Sequence, residues 1–239
     1  MPASGAPARD GISYRQSLVP VHSLYDPPLN EFLVTTNRVA IVLVLSIAAI
    51  GGPYRALAQG GGMAGMGGMD MGHPIVIPKG APYTRADVEF MQGMIAHHAQ
   101  AIVMCRLAES HRANPQVLKL SNKIDQSQVP EIRIMQAWLE RNGQFAPDTS
   151  AWHHMTMLGM LTAAQLHELD SARGVDFDRA NLRLMIQHHA GALKMVDDLF
   201  NSSMAGQEVD VNVFANDIVT AQTVEIGIMQ KLLTQLPAE

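Results

Sequence analysis

Met94-Ile95-Ala96-His97-His98-Ala99 returns 91 residues later as Met185-Ile186-Gln187-His188-His189-Ala190. The match extends outward from this core. Asp87 returns as Asp178 and Met104 as Met195 at the same offset. Gln128-x-x-Glu131-Ile132-x-x-Met135 returns as Gln222-x-x-Glu225-Ile226-x-x-Met229 at an offset of 94, so the second copy carries three more residues between its helices. Self-similarity of this kind marks a duplicated supersecondary unit. Each copy reads as a helical hairpin. The first helix is expected over about residues 84–113, with Thr84 as N-cap and Asp87 at N3 in a weak capping box. The second opens on Asn114-Pro115, cap then proline at N1, and ends at the C′ glycine Gly143. Pro130 lies inside it, where it should kink the helix. The third is expected over about 176–204, and the fourth over about 210–236, stopping at Pro237. Residues 144–175 connect the hairpins and hold a short helix after the Thr162/Gln165 capping box. No strand periodicity appears. The expected class is all-α: a ferritin-like four-helix bundle built from a duplicated hairpin, its long connector giving one-crossover connectivity.

On a helix, positions three and four apart are neighbours, so Met94 and His98 share a face, and so do Met185 and His189. His97 is turned about 100° from His98, as His188 is from His189, so the two rings of each pair face different neighbours. Met104 lies about 9 Å along the axis from His98 and belongs to another layer, as does Met195. A lone His pair is usually one surface ring and one satisfied core ring; two matching copies with methionine at the same positions point to metal ligation. Glu131/Met135 and Glu225/Met229 are i,i+4 pairs that either complete the ligand shell or supply a helix-facing carboxylate and a core methionine. His153-His154-Met155, with Met157 and Met160, offers a peripheral metal site in the connector.

The chain carries 16 methionines and a single cysteine, Cys105, so no internal disulfide can form. Cys105 reads as a small buried hydrophobe, with a soft metal ligand as the alternative. Residues 60–73 read GGGMAGMGGMDMGH. Glycine at that density builds a flexible tether, which needs no methionine; Met63, Met66, Met69 and Met71, followed by His73, suggest metal recruitment. Upstream, Arg38, the apolar run Val39–Ile50 and Ala56-Leu57-Ala58 have the layout of a secretory signal, with cleavage expected after Ala58. The run has 12 residues, short of the about 20 that a permanent span needs; the alternative is an uncleaved anchor with a cytoplasmic tail. The stretch before it is long for a signal, and a true start near Leu33 or Val34 would account for that. Three segments are expected: 1–58, an N-terminal extension plus signal; 59–82, the tether; 83–239, the helical metal-binding domain.

With 17 Lys+Arg against 22 Asp+Glu the chain is mildly acidic, and no basic patch speaks for nucleic acid. No Glu-x-x-His of the di-iron kind occurs, nor His-Glu-x-x-His, Gly-x-Ser-x-Gly or a Walker loop.

The segments MxxHHxxAxxM, GMLTxxQLxxL followed by Gly-x-x-Phe-Asp-Arg, and MIxHHxGALxM, spanning about Thr84 to Leu236, resemble the domain-of-unknown-function 305 family. That resemblance implies a ferritin-like bundle and extracytoplasmic copper binding through His and Met. By position it points to Met94, His97, His98, Met104, Met185, His188, His189 and Met195. Cys105 departs from the pattern, standing where a small residue such as alanine is usual. The expected function is non-enzymatic buffering or transfer of soft metal ions in a periplasmic or secreted setting: copper, Cu(I) ahead of Cu(II), and silver. Partners would be the ions and other extracytoplasmic copper-handling proteins, with no nucleic acid and no membrane span after cleavage. The alternatives are a metallo-oxidoreductase using the same histidines, and a structural bundle whose His pairs only hydrogen-bond.

Overall fold

The computed structural model describes residues 73–237. The extension, the signal with its cleavage point, and Met63, Met66, Met69 and Met71 lie outside the described residues. Five α-helices follow one another: α1 Arg85–Ser110, α2 Pro115–Arg141, α3 Ala163–Ser171, α4 Val175–Asn201 and α5 Val209–Gln235, with a 3-10 turn at Thr149–His153. The described residues contain no strand.

The caps set these limits. Thr84 and Asp87 form a full reciprocal capping box, and so do Thr162 and Gln165. Asn114 caps α2 by accepting from the Gln116 N–H. α1 stops three residues short of the expected Ala113. His111 leaves the helical conformation, and Arg112 adopts φ 58°, left-handed backbone of the kind usually given to glycine. The Ala113 N–H then donates to the Ala108 carbonyl and the Arg112 N–H to Glu109, which closes a Schellman turn. α2 ends the same way with Gly143 at φ 64°. It continues through Pro130.

α1 packs on α2 and on α4, and α4 packs on α5; α2 and α5 barely meet. Two buried aspartates define how the hairpins join. Asp87, at the start of α1, accepts at 2.7 Å from the Gly206 N–H in the α4–α5 turn. Its repeat Asp178, at the start of α4, accepts at 2.9 Å from the Asn114 N–H in the α1–α2 turn. Each helix start is therefore tied to the far hairpin's turn, so α1 and α4 run antiparallel. The exchange of one bond for the other is what a pseudo-twofold between the copies requires.

The core divides by the same symmetry. Met94, Met135 and Met195 fall in one apolar cluster, with Phe90 and Trp138. Their repeats Met185, Met229 and Met104 fall in the other, with Phe177 and Ile124. Residues 73–82, assigned by composition to the tether, are docked on the bundle: Ile75 and Ile77 pack against the first cluster, and the Val76 carbonyl accepts from Gln144.

Candidate metal centre

Between the two methionine clusters lies a polar layer. His97, His98, His188 and His189 are all fully buried there. The pseudo-twofold passes between His97 and His188, whose ring centroids stand 3.8 Å apart at a 41° tilt. His98 and His189, turned away by one helical step, each face the second helix of their own hairpin. His98 Nε2 lies 2.8 Å from Glu131 Oε2, and His189 Nε2 lies 2.9 Å from Glu225 Oε2. Glu131 and Glu225 are thus hydrogen-bond partners of the rings.

These contacts assign tautomers. A carboxylate accepts, so Nε2 carries a proton in His98 and His189; in a neutral ring the lone pair is then on Nδ1. His97 follows the same rule: its Nε2 donates to the Leu158 carbonyl at 3.1 Å. The Nδ1 atoms of His97, His98 and His189 are buried without partners, and His188 has a partner at neither nitrogen. Gln128 and Gln222, the repeat pair one turn before the two glutamates, each bury an unpartnered Oε1. Unmatched polar atoms are rare in native interiors, and clusters of them call for an unseen ion or water. These atoms are predominantly acceptors, which suits a cation. An imidazole whose far nitrogen donates to a carboxylate is also the usual arrangement around a bound metal.

The electrostatics favour neutral rings at His97 and His188. Burial, then the neighbouring His98, push His97 down to about 3; the Leu158 carbonyl opposes this, and His189 adds to it. Burial, then His97, His189 and His98, push His188 well below its ordinary value. Burial alone would raise Glu225, but the hydrogen bond and charge of His189, with Lys123 at 3.4 Å, outweigh it and hold the carboxyl below its usual range. Neutral imidazoles are the form that binds metal.

Met94, Met104, Met135, Met185, Met195 and Met229 are all buried. The helix rise puts Met94 about 5 Å and Met104 about 9 Å from the histidine layer, on opposite sides. Among the described residues, no three of His, Cys, Asp and Glu converge as a ready metal group. His73, expected to act with the tether methionines, stacks on Phe145 at 4.0 Å, away from the buried layer. Cys105 is buried, and burial pushes its thiol up, so it stays protonated and packs as an apolar group.

The Leu158 carbonyl and the two glutamines escaped the reading from sequence. The glutamines were visible in the repeat, and their repetition was the available signal. A backbone carbonyl leaves none. It reaches His97 because the connector touches α4 glycine to glycine: a Cβ on Gly191 would fall 2.6 Å from the Gly159 Cα.

The family model described as "Domain of unknown function (DUF305)" matches residues 87–233. A DUF305 fragment from Deinococcus radiodurans has a crystal structure 32% identical in sequence; the match covers 65% of this chain and all of that one, with a TM-score of 0.57. CopM in its Cu(I)-bound form is 27% identical over 62% of this chain and 96% of its own, with a TM-score of 0.51. CopM structures in Cu(II)-bound and Ag-bound forms match at 27% identity, with TM-scores of 0.51 and 0.50. A comparison with curated proteins finds no match. Among the described residues no helix is long and apolar enough to cross a membrane.

Proposed function

The chain belongs to the DUF305 family, and from that premise we propose that it binds and buffers soft metal ions, copper first and silver second, without catalysing a reaction. One observation carries this reading: four buried histidines present unpartnered ring nitrogens in one layer, with the far nitrogen of two of them held by a glutamate. The copper and silver forms of CopM support the choice of ion. The roles follow from position. His98 and His189 bind through Nδ1 and are oriented by Glu131 and Glu225, while His97 and His188 face each other across the pseudo-twofold. Met94, Met135 and Met195 on one side, and Met104, Met185 and Met229 on the other, supply thioethers that soft ions prefer over water. The duplicated hairpins make a ferritin-like, one-crossover bundle. The protein acts outside the cytoplasm after cleavage at Ala58, receiving ions through Met63, Met66, Met69, Met71 and His73 and exchanging them with other copper-handling proteins.

The test is a Cu(I) titration against a competing chelator, comparing wild type with a His98→Ala/His189→Ala double variant. The variant should stay helical and lose the buried copper. Equal uptake by a folded variant would reject the histidine layer as the site.

A further inference from the structure

The connector holds a second constellation that the buried layer does not use. Trp152, His153, Met155 and Met160 line one cavity of about 560 Å³. The lining contains no carboxylate and no ammonium or guanidinium group. Its wall on the α1 side is Gln100, whose amide both donates to the Leu161 carbonyl at 3.1 Å and accepts from the Leu161 N–H at 2.7 Å. That paired bond pins the Met160-Leu161 backbone to α1. At the other end of the lining, His153 stacks on Trp152 with centroids 3.8 Å apart and planes 29° apart. Stacking restrains the imidazole while leaving its nitrogens at the ring edge. Met155 and Met160 are buried, whereas His153 is exposed. The lining therefore joins an exposed histidine to two buried methionines.

We propose that this cavity is a separate site for a soft monovalent cation, Cu(I) or Ag(I), held by the sulfurs of Met155 and Met160 with His153 as the outer ligand. The donor set selects the ion. Two thioethers and one imidazole are neutral, so they do not compensate the charge of a hard divalent ion, which prefers carboxylate and water oxygens. Thioether donors need no deprotonation, so the inner part of the site keeps its affinity at acidic pH, unlike a site made of imidazoles alone. Met160 and Leu161 of the lining follow closely on Leu158, whose carbonyl accepts from His97. The site does not depend on those histidines for any ligand.

Trp152 gives the site its own reporter. The test is an Ag(I) titration of the full chain, following both the number of ions bound and tryptophan emission, with Trp152→Phe to assign the signal. Wild type should show Ag(I)-dependent quenching that Trp152→Phe lacks. Met155→Leu/Met160→Leu, which conserves volume, should bind one ion fewer and lose the quenching. His153→Ala, at an exposed position, should bind at that site at least about tenfold more weakly and serves if the double variant fails to fold. His98→Ala/His189→Ala should keep the quenching, which separates this site from the buried layer. Unchanged stoichiometry and quenching in a folded Met155→Leu/Met160→Leu variant, or unchanged affinity in His153→Ala, would overturn the proposal.

Discussion

Mild acid should destabilise the metal-free protein at a pH where surface carboxylates are still ionised. His97 titrates near 3 in the fold and near 6.5 when unfolded. Below pH 6.5 the unfolded chain takes up a proton that the folded chain refuses, so stability falls as pH drops through the window from 6.5 to 3. The slope is about 1.4 kcal/mol per pH unit for one group, so His97 alone costs about 2 kcal/mol by pH 5. His188 is shifted in the same direction and adds to this loss. Glu225 acts elsewhere: its carboxyl is held below 4.5, so the stability it contributes is lost only under that pH. A loss of more than about 2 kcal/mol is large beside the 5–15 kcal/mol typical of domains. The assay is urea unfolding of the metal-free protein at pH 7 and pH 5, with the His97→Asn variant measured in parallel. The variant should recover most of the His97 share of the pH dependence, whatever its absolute stability. Equal stability of wild type at the two pH values, or the same pH dependence in the variant, would refute the argument that burial keeps this ring neutral.

Gly191→Ala should cost about 1–3 kcal/mol in a thermal or denaturant melt, because its methyl group meets the Leu158 carbonyl and the Gly159 Cα, both backbone that cannot step aside. An unchanged melting temperature would mean the connector does not sit on α4 as described. Removing residues 60–72 should leave far-UV circular dichroism unchanged and lower the number of Cu(I) ions bound, since His73 and the docked stretch after it remain. Unchanged stoichiometry would reject the tether as a metal site.

Much of the fold was legible because the signals are local. Thr84, Asn114, Thr162 and Gly143 stand at helix ends for reasons confined to one turn of backbone, and all four cap or terminate where the sequence placed them. The 100° step between His97 and His98 foretold that they face different helices, and His188 and Glu131 are the partners found. Long-range pairings were harder to read. The arrest of α1 at Ser110 depends on Arg112 accepting left-handed backbone, a position for which the sequence offers no glycine. Asp87 reads as a capping residue, yet half its work is the bond to Gly206 across the bundle. The tether's last ten residues looked like linker by composition; their docking rests on the few apolar side chains that meet the core.

The central claim is that the Nδ1 lone pairs of the buried histidines are ligands, and nitrogen NMR reads those atoms directly. Protein labelled with nitrogen-15 at histidine would be titrated with Ag(I), a closed-shell ion, at neutral pH. Before addition, His98 and His189 should each show a protonated Nε2, as their glutamate partners dictate. On loading, the Nδ1 resonances should shift strongly while the Nε2 protons stay in place. If the protein takes up silver and the Nδ1 resonances of His98 and His189 do not move, the histidine layer is structural and the account is wrong.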